Sequence, residues 1–306
     1  MNTRTTTVPT CATRFRLQLN PMAAVLVALV VLTWAVLTSA CASKPNIAPA
    51  APKQTAEVVS TADQGEKQIA VFSHADYDAV LSTYVNDVGM VDYKKLLANR
   101  IALDQYVEQL AGSSPRSAPE LFPTKEHQMA YWINAYNALM MRSVLDHYPV
   151  DSVTDIKVAH GVFTRIKYPV GGTRMSLDDI EKGVLLKEFN DPRVHWTLTC
   201  ASMSCPHLDK HAFVAKGLSE RLDQEARNFL QSTRAVVIDK DENVVRVSKY
   251  FDWYGSDFGG DAIAYITPYL SESQKSQLAM LNNPKVSFKD YDWRLNDQNK
   301  QWAATQ

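Results

Sequence analysis

The chain has 306 residues, 46% of them hydrophobic, with 32 basic and 33 acidic side chains. Setting aside residues 1–41, which hold three arginines and no acid, leaves 29 basic against 33 acidic residues and no basic cluster. That balance argues against nucleic acid as a partner, while the length suffices for one large domain with a substantial core.

In chain order, Arg4, Arg14 and Arg16 precede an uncharged run from Met22 to Ala40, which ends in Leu37-Thr38-Ser39-Ala40-Cys41-Ala42. A basic flank, an apolar stretch and a small-residue exit are the parts of an export signal. Residues 1–41 are therefore expected to be a signal peptide. Thr38-Ser39-Ala40-Cys41 resembles a bacterial lipobox, which makes Cys41 the site of lipid (palmitate) attachment. Thr38 departs from the leucine-like residue usual there. Simple cleavage after Ala40-x-Ala42 and an uncleaved single-span anchor are the alternatives. Each of the three sets the remainder outside the cytoplasm, and the lipoprotein reading implies a periplasm-facing domain, at the outer rather than the inner membrane. Residues 42–70, with Ala48-Pro49-Ala50-Ala51-Pro52, read as a tether, 71–297 as a single domain and 298–306 as a tail.

Within the domain, Ser73 opens a short helix through Tyr84, with Tyr77, Val80, Leu81 and Tyr84 on one face. A second helix is expected from Tyr93 to Leu110, stopped by Gly112 and Pro115. Thr124 caps a third, apolar on nearly every face and ended before Pro149, which predicts a central buried helix. A hairpin of Val162–Val170 with Arg174–Met175 across Gly171-Gly172 follows, then a helix opened by the capping-box pattern Ser176-Leu177-Asp178-Asp179. Val194–Cys200 alternates as a strand, and Lys216–Leu230 reads as an amphipathic helix. A hairpin of Ala235–Ile238 with Val244–Val247, helices near 261–270 and 272–281, and a strand over 286–291 complete the chain. Helices early and hairpins late, without βαβ alternation, predict an α+β fold with helices packed on an antiparallel sheet.

Three constellations could carry chemistry. Cys200 and Cys205 are the two cysteines outside residues 1–41. An oxidising compartment favours a disulfide between them, with two reduced cysteines buried as small hydrophobes the competing reading. With His207 and His211 the pair comes near zinc-ligand spacing without matching a closed pattern, so neither a metal site nor a cofactor is expected. A cysteine nucleophile is the remaining alternative, with Cys205, in its Ser-Cys-Pro turn, expected to be the more exposed thiol. His195 or His207 would be its base, and Asp252 or Asp257 the orienting carboxylate. On a regular strand, His195 and Cys200 would face opposite sides. Asn134 and Asn137 share one face of the apolar helix, beside Trp132 and Tyr136. They read either as a buried hydrogen-bond network or as pocket residues. The aromatic run Ser248–Phe258 reads as a strand-to-loop exit, and Asp290-Tyr291-Asp292-Trp293 as a clamp on the last strand.

Trp132-Ile133-Asn134-Ala135-Tyr136-Asn137-Ala138-Leu139, Leu177-Asp178-Asp179-Ile180-Glu181-Lys182-Gly183 and Asp191-Pro192-Arg193-Val194-His195 resemble blocks of the domain of unknown function 547 family. So do Cys200-Ala201-Ser202-Met203-Ser204-Cys205-Pro206, Ser248–Tyr254 and Tyr291–Asn296, in the same order. Together they span Phe72 to Asn296 and suggest an exported bacterial member. Lys182 stands where the family commonly has histidine. The resemblance implies no established reaction. Its order of elements is loosely similar to transglutaminase-like and papain-like folds, whose central helix opens with a nucleophilic cysteine; this helix has none. The expected function is a non-catalytic or degenerate envelope domain that binds a peptide, glycan or protein partner. The alternative is a cysteine-dependent hydrolase or acyl-transferase acting on an envelope peptide or glycopeptide.

Overall fold

The computed structural model describes residues 56–58, 70–157 and 160–301. The expected signal peptide and Cys41 lie outside them, as does most of the expected tether. Strand β1 (Ala56–Val58) pairs antiparallel with β2 (Ala70–Phe72). Helices α1 (Ala75–Tyr84), α2 (Tyr93–Ala98) and α3 (Ile101–Gly112) follow. The single helix expected over 93–110 is two, because the Asn99 side chain bonds back to the Lys95 carbonyl and turns the chain. Thr124 caps α4 (Lys125–Leu145), accepting from His127 N–H, and every residue from Met129 to Met141 is buried.

Helix α5 (Gly161–Thr164) occupies what was expected as the start of a strand, so the hairpin is short: β3 (Tyr168–Val170) against β4 (Thr173–Met175). Gly171 and Gly172 both have positive φ, 55° and 78°, as the tight turn between them demands. Ser176 and Asp179 form the expected capping box at the head of α6 (Leu177–Ile180). The chain then widens into a π-helical stretch, Glu181–Phe189, which Asn190 ends in the left-handed conformation. Such widened turns are uncommon and recur at functional sites.

Val194–Cys200 is not a strand. Asp191 accepts from Arg193 N–H and Pro192 supplies the first-turn φ, so Pro192–Trp196 winds into a 3-10 helix despite its alternating pattern. Helix α7 (Leu218–Leu230) leads to β5 (Val236–Asp239) and β6 (Val244–Val247). The run expected as a strand exit instead makes a helical turn, α8 (Tyr250–Trp253), with Tyr254 N–H bonded to the Tyr250 carbonyl. Helices α9 (Ala262–Ile266) and α10 (Glu272–Ala279) then cross to β7 (Lys285–Phe288), which pairs parallel to β6. The fold is α+β, its largest sheet being the three-stranded β5-β6-β7.

Two apolar clusters form. One surrounds α4 and the other surrounds Trp196, with α7, β5, β6 and α8. The last segment ties across the first cluster: Met203 and Ser204 N–H groups bond to the Arg294 and Asp292 carbonyls, and Asn296 N–H to the Ala201 carbonyl. The acidic-aromatic run at 290–293 therefore clamps the cysteine loop as well as following the last strand. Beyond residue 297, Gln298 and Asn299 still bond to Tyr84 and Asp92.

Candidate functional site

The pocket with the most chemistry opens where the two clusters meet. It encloses about 340 Å³, with Tyr136, Phe163, Leu198 and Trp293 from the first side and Tyr250, Tyr254 and Tyr291 from the second. Trp253, His160, Glu181, Asp178, Lys182, His195 and Cys200 also line it. The helical turn α8 explains the aromatic density: residues 250 and 254 fall on one helical face, and Trp253 lies beside them. Trp293 stands 4.4 Å from Tyr291, 4.8 Å from His160 and 5.8 Å from Trp253 between ring centres. Trp293 meets Tyr291 and His160 at 51° and 63° and stacks on Trp253 at 29°, so the rings wall a space rather than form a flat platform.

Glu181, the first residue of the π-helical stretch, puts its carboxyl among these rings. It accepts a 2.7 Å hydrogen bond from the Tyr254 hydroxyl, and Tyr136 lines the same pocket. Burial pushes its pKa above the ordinary carboxylate range, against the pull of Tyr254 and Lys182. Lys182 is itself engaged with Asp178, whose hydrogen bond raises the lysine pKa.

His195 is 1% exposed, and its Nε2 lies 2.9 Å from Asp257 Oδ2. Its ring packs 4.4 Å from Tyr254 and 5.1 Å from Phe258. Burial lowers its pKa and Asp257 opposes that shift, so the neutral ring is favoured. The neutral ring donates from Nε2 to the carboxylate, which leaves Nδ1 as the basic nitrogen.

Cys200 and Cys205 are joined as a disulfide. Neither sulfur is then a free nucleophile, and the two cysteines are withdrawn from any metal set with His207 and His211. The expected order of exposure is reversed. Cys205 is 0% exposed because Ser202–Cys205 turns inward, closed by Cys205 N–H on the Ser202 carbonyl, whereas Cys200 forms pocket wall. The Tyr291 hydroxyl lies 3.1 Å from Cys200 Sγ and 3.2 Å from Cys205 Sγ. Burial lifts the Tyr291 pKa to about 12, so this hydroxyl keeps its proton at neutral pH.

Of the residues expected at the site, His195, Asp257, Cys200 and Tyr136 come together. His195 and Cys200 line one pocket, contrary to the strand argument, because the 3-10 turn abolishes strand alternation. Asp252 points elsewhere and pairs with Lys249 at 2.8 Å. His207 packs against Gly89 outside the pocket, and burial lowers its pKa to about 4. Trp132 is core, with Arg116 over its ring.

Asn134 and Asn137 are not pocket residues either. The Asn134 amide donates to the Phe213 carbonyl at 2.8 Å and accepts from its N–H at 2.9 Å. Asn137 brackets the cysteine loop likewise, donating to the Thr197 carbonyl and accepting from Thr199 N–H, both at 2.8 Å. Their sequence-level role as a core network is the one the geometry carries.

Glu181 escaped the sequence reading. It sits two residues beyond a capping acid, and nothing in its local pattern separates it from a solvated first turn. Tyr254, Tyr291 and Trp293 were visible only as aromatic runs.

Residues 121–230 match the model of a family described as "Protein of unknown function, DUF547". That segment holds α4, Glu181, His195 and both cysteines of the disulfide, and the chain is similar to the family there. The aromatics at 250–254 and 291–293 lie beyond the match. No curated protein and no solved structure matches the chain.

Proposed function

We propose that this chain is a lipid-anchored, periplasm-facing envelope domain that binds a peptide by enclosing one cationic side chain in its aromatic pocket. The observation that carries the reading is the Glu181 carboxyl inside a set of aromatic rings, held by the Tyr254 hydroxyl, with its ionised form disfavoured by burial. An ammonium or guanidinium group entering there gains ring-face attraction and an ionic partner, and relieves the carboxylate's desolvation. A volume of about 340 Å³ lies at the small end of ligand pockets, which run from roughly 300 to 1,000 Å³. That suits one side chain better than an extended chain or oligosaccharide. The hydrolase alternative has the His195–Asp257 pair in its favour, but its thiol is tied up in the disulfide.

Titration calorimetry with Nα-acetyl-lysine amide and its uncharged analogue Nα-acetyl-norleucine amide tests the pocket. The lysine probe should bind more tightly, and Glu181→Gln should remove the difference. Equal affinities, or no binding of either probe, would sink the reading. The anchor rests on the export-signal composition of residues 1–41 and on the lipobox-like Thr38-Ser39-Ala40-Cys41. Cys41→Ser should release the protein from the membrane fraction, and unchanged fractionation defeats the lipoprotein assignment.

A further inference from the structure

The Cys200–Cys205 disulfide differs from a purely structural crosslink in two respects. Only one of its residues, Cys200, belongs to the pocket wall, while Cys205 is fully buried behind it. Hydrogen-bond donors also converge on the buried sulfur. The Cys200 backbone N–H points at Cys205 Sγ from 3.0 Å and the Tyr250 hydroxyl lies 3.9 Å from it, while the Tyr291 and Ser202 hydroxyls are shared, 3.2 and 3.3 Å from Cys205 Sγ and 3.1 and 3.2 Å from Cys200 Sγ. A disulfide sulfur is a weak acceptor that does not require such company, whereas a thiolate is a strong one. The surroundings of Cys205 are thus more complementary to the sulfur after the bond opens than before. Stabilising what forms during the reaction more than what precedes it is how a site accelerates a step.

We infer that Cys200–Cys205 is an exchangeable disulfide and that the pocket is a thiol–disulfide exchange site for a cysteine-bearing peptide. The proposal rests on the pocket being the binding site argued above. A substrate thiolate attacks Cys200 Sγ from the pocket. A substrate–Cys200 disulfide forms as the Cys200–Cys205 bond breaks, and the bonding pair leaves on Cys205 Sγ as a thiolate. The Cys200 N–H and the Ser202 and Tyr291 hydroxyls receive it. When the substrate carries a second thiol, its thiolate attacks the substrate sulfur of the mixed disulfide and expels Cys200 as a thiolate. Two electrons have then passed from the substrate dithiol to the protein. The two protons lost by the substrate equal those that the two cysteine thiolates take up. Run backwards, the reduced protein opens a substrate disulfide. A more stabilised leaving thiolate departs faster, so the donors around Cys205 raise the rate of the first step.

The test uses the full-length oxidised chain in detergent, with reduced glutathione as attacking thiol. Samples are quenched early with N-ethylmaleimide and mapped by peptide mass spectrometry. The expected result is glutathione on Cys200 and maleimide on Cys205 under native conditions. Ser202→Ala should slow the opening roughly tenfold, the order set by one hydrogen bond to a charged group. Tyr291→Phe, which keeps the ring, should do the same if Ser202→Ala proves poorly folded. An adduct only after denaturant, an adduct on Cys205, or rates unchanged in both variants would overturn the proposal. Lysine-probe affinity measured on the same oxidised chain reads the pocket independently, so either idea can fail without the other.

Discussion

The Tyr254 hydroxyl donates a 2.7 Å hydrogen bond to Glu181 while its ring lies 4.4 Å from His195. One side chain on the α8 turn therefore joins the carboxyl of the π-helical stretch to the imidazole of the 3-10 turn. These elements come from three separate parts of the chain, and the pocket exists because the last of them delivers its aromatics over the other two.

Glu181 should limit stability at neutral pH. Its folded pKa is raised above the ordinary value by burial, so its contribution is complete below about pH 4.5 and declines as pH rises through the folded value. Glu181→Gln keeps an acceptor for Tyr254 and removes the ionisation. Thermal unfolding should show the variant more stable than the native chain at pH 8 and equal to it at pH 4. A variant that is less stable at both values would locate the role of Glu181 in its hydrogen bonds alone.

Asn137 holds the loop that precedes the disulfide. Asn137→Ala leaves the Thr197 carbonyl and Thr199 N–H without their partner in a buried setting. Stranded buried groups of this kind cost about 1–3 kcal/mol each. Urea unfolding should place the variant about 2–6 kcal/mol below the native chain. A change under 1 kcal/mol would mean that water replaces the amide.

The network role of these asparagines was legible because two amides three residues apart on an apolar helix have few ways to be satisfied. The α4 cap at Thr124, the Ser176–Asp179 capping box and the Gly171-Gly172 turn were legible for a similar reason: short-range chemistry sets each of them. The 3-10 turn at Pro192–Trp196 was misread because apolar alternation outweighed a stronger local signal, Asp191-Pro192. The pocket was least legible. Glu181 meets Tyr254 across 73 positions, and Tyr291 meets Cys205 across 86. No periodicity reports a contact at such separation, and the family resemblance supplied the blocks without saying which of them meet.

The disulfide should contribute little beyond loop closure. For so short a loop, chain entropy gives about 2 kcal/mol. The double replacement Cys200→Ala/Cys205→Ala should lower the melting temperature by about 4–8 °C, at roughly 2–4 °C per kcal/mol for a domain of this size. A fall beyond about 15 °C would show that the crosslink also organises the pocket wall.

Acid sensitivity should come largely from buried histidines, and His74 is the clearest of them. Its Nδ1 bonds the Tyr106 hydroxyl at 2.8 Å and its ring packs 5.3 Å from Phe72. Burial, with a smaller effect from His127, lowers its pKa to about 3. A depressed folded value means that stability is full above about pH 6.5 and is lost as pH falls from there toward 3. This slope runs opposite to that of Glu181, so the two are separable. His74→Asn can keep the bond to Tyr106 and cannot titrate. Unfolding free energies at pH 6, 5 and 4 should therefore fall less steeply in the variant, by up to about 1.4 kcal/mol per pH unit. Parallel slopes would move the acid sensitivity to His195 and His207, whose burial also favours the neutral ring.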